Sequence, residues 1–124
     1  MMRLEHDSAP EGPIIKGFSG GGFRIDDNVY TALLITPMSA HGWAPPPIAA
    51  LSEADLAPLL AVSPSPEFLI LGTGASLIQP PRALVRAIEA LGIGIETMDS
   101  RAAARAWSVL RHEGRWIAGA LYPL

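Results

Sequence analysis

Phe68 to Asp99 reads FLILGTGASLIQPPRALVRAIEALGIGIETMD, and this stretch decides the fold. Phe68-Leu69-Ile70-Leu71 has no polar break, the pattern of a strand covered on both faces. Gly72-Thr73-Gly74 then frees the backbone to turn, and Pro80-Pro81 marks a helix entry where a missing N–H costs nothing. Leu84, Ile88 and Leu91 follow at i, i+4 and i+7 as a core-facing stripe, and Gly92 closes the helix. Ile93, Ile95 and Met98 supply a second strand. A strand, crossover helix and strand of this length form a right-handed parallel unit, which puts a parallel pair at the centre of the protein.

Upstream, residues 1–13 are polar, contain Pro10 and Pro13, and read as an extended arm before a single α/β domain over 14–124. Ile14 to Phe18 and Phe23 to Ile25 are short strands around the turn Ser19-Gly20-Gly21-Gly22. After Asp26-Asp27-Asn28, Val29 to Thr36 is the longest strand signal in this half, so an N-terminal β-meander is expected. Pro37 ends it. Met38 to Ile48, with Pro45-Pro46-Pro47, reads as an ordered connection, and Trp43 is expected to pack that loop onto its own domain. Ser52-Glu53-Ala54-Asp55 starts a short helix reaching about Ala61.

Downstream, Asp99 or Ser100 caps a helix from Arg101 to about His112, with Ala103, Ala106, Trp107 and Leu110 as its apolar face. Arg101, Arg105, Ser108 and His112 share its polar stripe. Trp116 to Tyr122 is the final strand, free to run antiparallel to its neighbours. The expected fold is therefore α/β and three-layered. A central mixed, largely parallel sheet carries helices packed on it, and the β-meander precedes them.

Composition narrows the function classes. The 124 residues are 49% hydrophobic and 17% charged, in the range of soluble globular proteins. A net charge of −3 argues against a nucleic-acid binder. There is no cysteine, so disulfides, thiolate catalysis and sulfur-ligated zinc are excluded. No apolar run approaches the roughly 20 residues of a membrane helix, and the N-terminus lacks a signal or presequence pattern, so the cytoplasm is the expected compartment.

Recognised chemical motifs fail on particular residues. Leu77 stands where a dinucleotide fingerprint needs its third glycine, and Ile78 where a nucleophile elbow around Ser76 needs its second. His6, His41 and His112 form no i, i+4 metal pair. No catalytic residue, metal site or cofactor is assigned. What remains is arginine. Eight of the nine cationic residues are arginine, and five lie between Arg86 and Arg115. Arg101 in a first helical turn opposes the macrodipole, so helix stability does not explain it. The candidate surface for a ligand or partner comprises Gly72, Thr73, Gly74, Ser76, Asp99, Arg101, Arg105, Glu113 and Arg115. Its sharp form is an anion pocket in which arginines face the Gly72–Gln79 loop. Its bland form is a solvated, salt-bridged face.

Three blocks carry a resemblance: Glu67-Phe68-Leu69-Ile70-Leu71-Gly72-Thr73-Gly74, Gly92-Ile93-Gly94-Ile95-Glu96-Thr97-Met98-Asp99, and Ala104-Arg105 with Val109-Leu110-Arg111-His112-Glu113-Gly114-Arg115. They resemble the single-domain family that includes mitochondrial complex I assembly factor 3 and the adipogenesis-associated domain protein. The resemblance implies a three-layer α/β fold, no established catalytic residues, and a non-enzymatic assembly role exercised through protein contacts. Many members carry Thr-Tyr/Phe-Asn where this chain has Ala106-Trp107-Ser108, which puts in doubt a fixed polar contact at Ser108. The expected activity is that of an assembly-factor-like interaction domain with a protein partner and neither nucleic acid nor membrane insertion. A homodimer stays open. The alternative is a binder of, or enzyme on, an anionic phosphate or carboxylate compound near Gly72–Gln79 and Arg101/Arg105.

Overall fold

The computed structural model describes residues 11–124. The greater part of the expected N-terminal arm lies outside them. The meander forms as a separate antiparallel sheet of β1 (Gly17–Ser19), β2 (Gly22–Ile25) and β3 (Asn28–Tyr30), in that order. Gly20 and Gly21 link β1 to β2 with φ of 56° and 82°, the left-handed pair that a two-residue hairpin turn demands.

The main sheet holds β4 (Leu33–Ile35), β5 (Ala40–Gly42), β6 (Phe68–Gly72), β7 (Gly94–Met98) and β8 (Ala118–Leu121) in the order β5-β4-β8-β6-β7. β6 is parallel to both β7 and β8, whereas β4 is antiparallel to β5 and β8. The sheet is mixed, with its parallel half where the sequence put it. The last strand is parallel to one neighbour and antiparallel to the other.

Helix α1 (Ala57–Leu60) continues a 3-10 turn over Glu53–Leu56, α2 (Arg82–Ala90) crosses from β6 to β7, and α3 (Ser100–His112) crosses from β7 to β8. The two crossovers step in opposite directions from β7's side of the sheet, so right-handed connections place α2 and α3 on opposite faces. Strand side chains alternate between two cores accordingly. Leu34, Leu69, Leu71, Ala118 and Ala120 pack with Leu56, Leu59, Leu84 and Ile88 on the α1/α2 side. Leu33, Ile35, Ile70 and Leu121 pack with Ala103, Trp107, Phe23 and Ile25 on the other, where α3 and the meander share the second core.

Several sequence expectations change. Val29–Thr36 is two strands, β3 and β4, broken at Thr31-Ala32 where the chain leaves one sheet for the other. Residues 40–42, expected in a connection, pair with β4 after a turn in which Thr36 Oγ1 accepts from the N–H groups of Met38 and Ser39. Leu91 is 52% exposed rather than in the core, because α2 ends at Ala90 and Gly92 (φ 81°) turns the chain away. Trp43 packs as expected, edge-on to Tyr122 at 5.6 Å, with Nε1 donating to the Leu121 carbonyl at 3.4 Å.

The segment preceding β1 lies along α3. Arg111 Nη2 donates to the Glu11 carbonyl at 3.0 Å, Trp107 Nε1 to Pro13 at 3.1 Å, and Ser108 Oγ to Ile15 at 2.9 Å. These are alternate carbonyls of one stretch, each met by a donor from the same helix. Ser108 therefore does hold a fixed polar contact, made with a hydroxyl instead of an amide.

Candidate functional site

The nine candidate residues fall into three places. Gly72, Thr73, Gly74, Ser76 and Asp99 gather where β6 and β7 end, in the crevice between adjacent parallel strands whose helices leave to opposite faces. Doubly wound folds take ligands in that position. Here the chain fills it with its own groups. The Thr73 N–H donates to the Met98 carbonyl at 2.9 Å, and the Gly74 N–H to Ser100 Oγ at 2.8 Å. The Ile78 N–H donates to Thr73 Oγ1 at 3.0 Å, and that hydroxyl donates to the Ser76 carbonyl at 2.6 Å. Thr73 and Ser100 are buried. Asp99 Oδ1 accepts from the Ala102 N–H at 2.9 Å as the cap of α3. The amides of Thr73, Gly74 and Ile78 are spent on the fold.

Ser100 is the member that sequence reading missed. Its hydroxyl donates to the Tyr122 carbonyl at 2.7 Å while accepting from Gly74, joining the start of α3, the glycine turn and the end of β8. Gly72 permits this approach, since a Cβ there would lie 2.9 Å from Ser100 Oγ and 3.0 Å from the Ala103 Cβ. The signal was a serine directly after a helix-capping Asp and opposite a strand-end glycine. Beyond this plug the residues Ala75 to Gln79 are all exposed, Leu77 at 53% and Ile78 at 48%.

Arg101 and Arg105 are exposed on α3, but they turn toward β1 rather than over the glycine loop. The Arg101 guanidinium lies over the Phe18 ring, 4.7 Å from its centroid, which accounts for an arginine in an unfavourable first turn. Arg105 borders a groove beside Lys16, Gly17 and Phe18.

Glu113 and Arg115 lie past the far end of α3, roughly 20 Å away along a helix rising 1.5 Å per residue. Arg115 grips Glu67, with Nη2 at 2.8 Å and Nε at 3.1 Å from Oε1. Those bonds, then the Trp116 N–H, hold the Glu67 carboxyl below its usual range, and the same contact raises Arg115. Nearby Arg111 is buried, with Nη1 on the Arg115 carbonyl at 2.7 Å and no hydrogen-bond partner for Nε. Among the described residues no group of three or more acidic or histidine side chains is placed to hold a metal ion, and no helix is long and apolar enough to cross a membrane.

Comparison with known proteins gives this architecture a family. The model of the protein family of unknown function DUF498/DUF598 matches residues 15–122. The chain belongs to that family. An uncharacterized protein of Rhodobacter capsulatus is 36% identical over 111 residues, covering 89% of this chain and 84% of that protein. The NADH dehydrogenase [ubiquinone] 1 alpha subcomplex assembly factor 3 of Danio rerio is 28% identical over 123 residues, covering 98% of this chain and 71% of that protein. Among solved structures, a Bordetella pertussis protein described as a Mth938-like domain superposes with a TM-score of 0.76 at 25% identity, covering 98% of this chain and 92% of that one. The resemblance to complex I assembly factor 3 that the three sequence blocks carry extends over nearly the whole chain.

Proposed function

We infer that this protein is an assembly-factor-like protein-interaction domain, acting in the cytoplasm on a membrane-associated respiratory complex. One observation carries the reading. The position where a doubly wound sheet would take a small ligand is plugged by Thr73 and Ser100, and directly outside it the chain presents Leu77 and Ile78 to solvent. Exposed apolar side chains outside a filled crevice make a contact face rather than an active site. That face is the Gly72–Gln79 loop; Arg101 and Arg105 continue it on the β1 side of α3, and Glu113 and Arg115 stand apart at the far end of the helix. Similarity to an assembly factor of NADH dehydrogenase supports the choice of partner.

The test is affinity capture of the tagged full chain from its native cell, with the bound proteins identified by mass spectrometry. Recovery of respiratory-complex subunits, lost in Leu77→Asp/Ile78→Asp, supports the assignment. A chain that captures none of them and is instead thermally stabilised by inorganic phosphate or a dicarboxylate supports the alternative, an anion binder using Arg101 and Arg105.

A further inference from the structure

The groove between α3 and β1 has a chemistry of its own. It encloses about 290 Å³. Its floor is apolar, built from buried Ile15 and Ala104 with Phe18, and Val109, 57% exposed, forms one rim. The one hydroxyl that lines it, Ser108 Oγ, is already spent on the Ile15 carbonyl. Cations surround this floor. Lys16 and Arg105 line the groove, Arg101 covers the Phe18 ring, and an Arg24 Nη lies 4.0 Å from the position a Cβ on Gly17 would take. Among the described residues one carboxylate pairs with these four, Asp26 at 3.2 Å from Lys16 Nζ. A local positive excess thus sits on a chain whose net charge is −3. β1 is also one of the two edge strands of its sheet.

We propose that the groove docks an acidic peptide segment of a partner protein, one apolar side chain resting on Ile15, Phe18 and Ala104 while flanking carboxylates meet Arg101 and Arg105. This rests on the interaction-domain reading and names the class of partner. The apolar floor desolvates a single side chain, and the long cationic stems around it carry their charges to the rim, where they select for acid. A free phosphate would meet the charges but leave the floor uncovered. An anionic membrane is flat and would not fill a concavity.

The probe is the fluorescein-labelled peptide Asp-Glu-Asp-Leu-Phe-Glu-Asp-Glu, with a counterpart carrying lysine at every acidic position, titrated into the full chain. Binding is read by anisotropy and by amide chemical shifts. The acidic peptide is expected to shift residues 15–18 and 101–109. Arg105→Glu and Val109→Asp are expected to weaken it tenfold or more without lowering Tm by more than 2 °C. Arg86→Glu makes the same charge change on α2 and should stay within twofold.

Shifts elsewhere, equal losses in Arg105→Glu and Arg86→Glu, or Arg105-dependent binding to phosphatidylserine vesicles with none to the peptide would overturn the proposal. If Arg105→Glu still captures respiratory subunits undiminished, the groove fails and the interaction reading stands. If the wild-type chain captures none while the peptide maps to the groove, the docking site stands and the respiratory assignment fails.

Discussion

The Ser100 hydroxyl accepts a hydrogen bond from the backbone N–H of Gly74 at 2.8 Å, with Ser100 itself fully buried. Because the same hydroxyl donates to the Tyr122 carbonyl, removing it strands two interior backbone groups at once. An unpartnered buried group costs roughly 1–3 kcal/mol. Ser100→Ala is therefore expected to lose about 2–4 kcal/mol of stability by denaturant unfolding. A loss under about 1 kcal/mol would show that water or a shifted backbone replaces the hydroxyl.

Gly72→Ala tests the same junction from the other strand. The added methyl would press on the Ser100 side chain and the α3 backbone, and overpacking of this kind costs about 1–3 kcal/mol. Hydrogen exchange should accelerate in the first turn of α3 and in residues 73–78. An unchanged exchange pattern there would mean that α3 is not seated against β6 as described.

Tyr122 predicts an alkaline transition. Burial pushes its phenol up to about 12 from an ordinary 10, with Asp55 a smaller contributor. The neutral hydroxyl donates to the Pro46 carbonyl at 2.7 Å. A folded pKa raised above the unfolded one gives stability that is full below pH 10 and drains away as pH climbs through 12. Solvent screening of the partly covered phenol reduces the full conversion of about 1.4 kcal/mol per unit, leaving an effect of about 1–2 kcal/mol. Tyr122→Phe should flatten the fall in Tm between those pH values. An equal fall in both proteins would assign the transition to other groups.

The Arg115–Glu67 pair should matter little. Both side chains are close to half exposed, at 41% and 47%, and solvent screens a surface pair of this kind. Because the Glu67 carboxyl is held low, its contribution is present above the ordinary carboxylate range and disappears as pH falls through the lowered value. Arg115→Ala is expected to leave Tm almost unchanged and to leave partner capture intact. Loss of capture would move the contact face to the far end of α3.

The reach of sequence reading follows from which forces are local. β6, α2 and β7 were legible because an unbroken apolar run, a proline entry and a glycine exit each act within a few residues. Asp99 was legible as a cap for the same reason. Val29 to Thr36 was misjudged because an apolar run says that residues are buried, not which sheet buries them. Ala40–Gly42 carries no apolar pattern, and its pairing with β4 comes from a turn built on Thr36. The candidate site suffered most. The glycine turn advertises free amides, and only the folded chain shows the Ser100 hydroxyl and the Met98 carbonyl consuming them. Arg101 reads as part of a polar stripe, yet it stacks on Phe18, and Arg111, given no role from the sequence, is buried against backbone carbonyls of Glu11 and Arg115.

Site-specific photo-cross-linking in the native cell bears most directly on the claim that the loop outside the plugged crevice is a protein contact face. A benzophenone amino acid in place of Leu77 should yield cross-links to a respiratory-complex subunit, and one in place of exposed Glu89 on α2 should not. Equal yields from the two positions, or none from either, would contradict it.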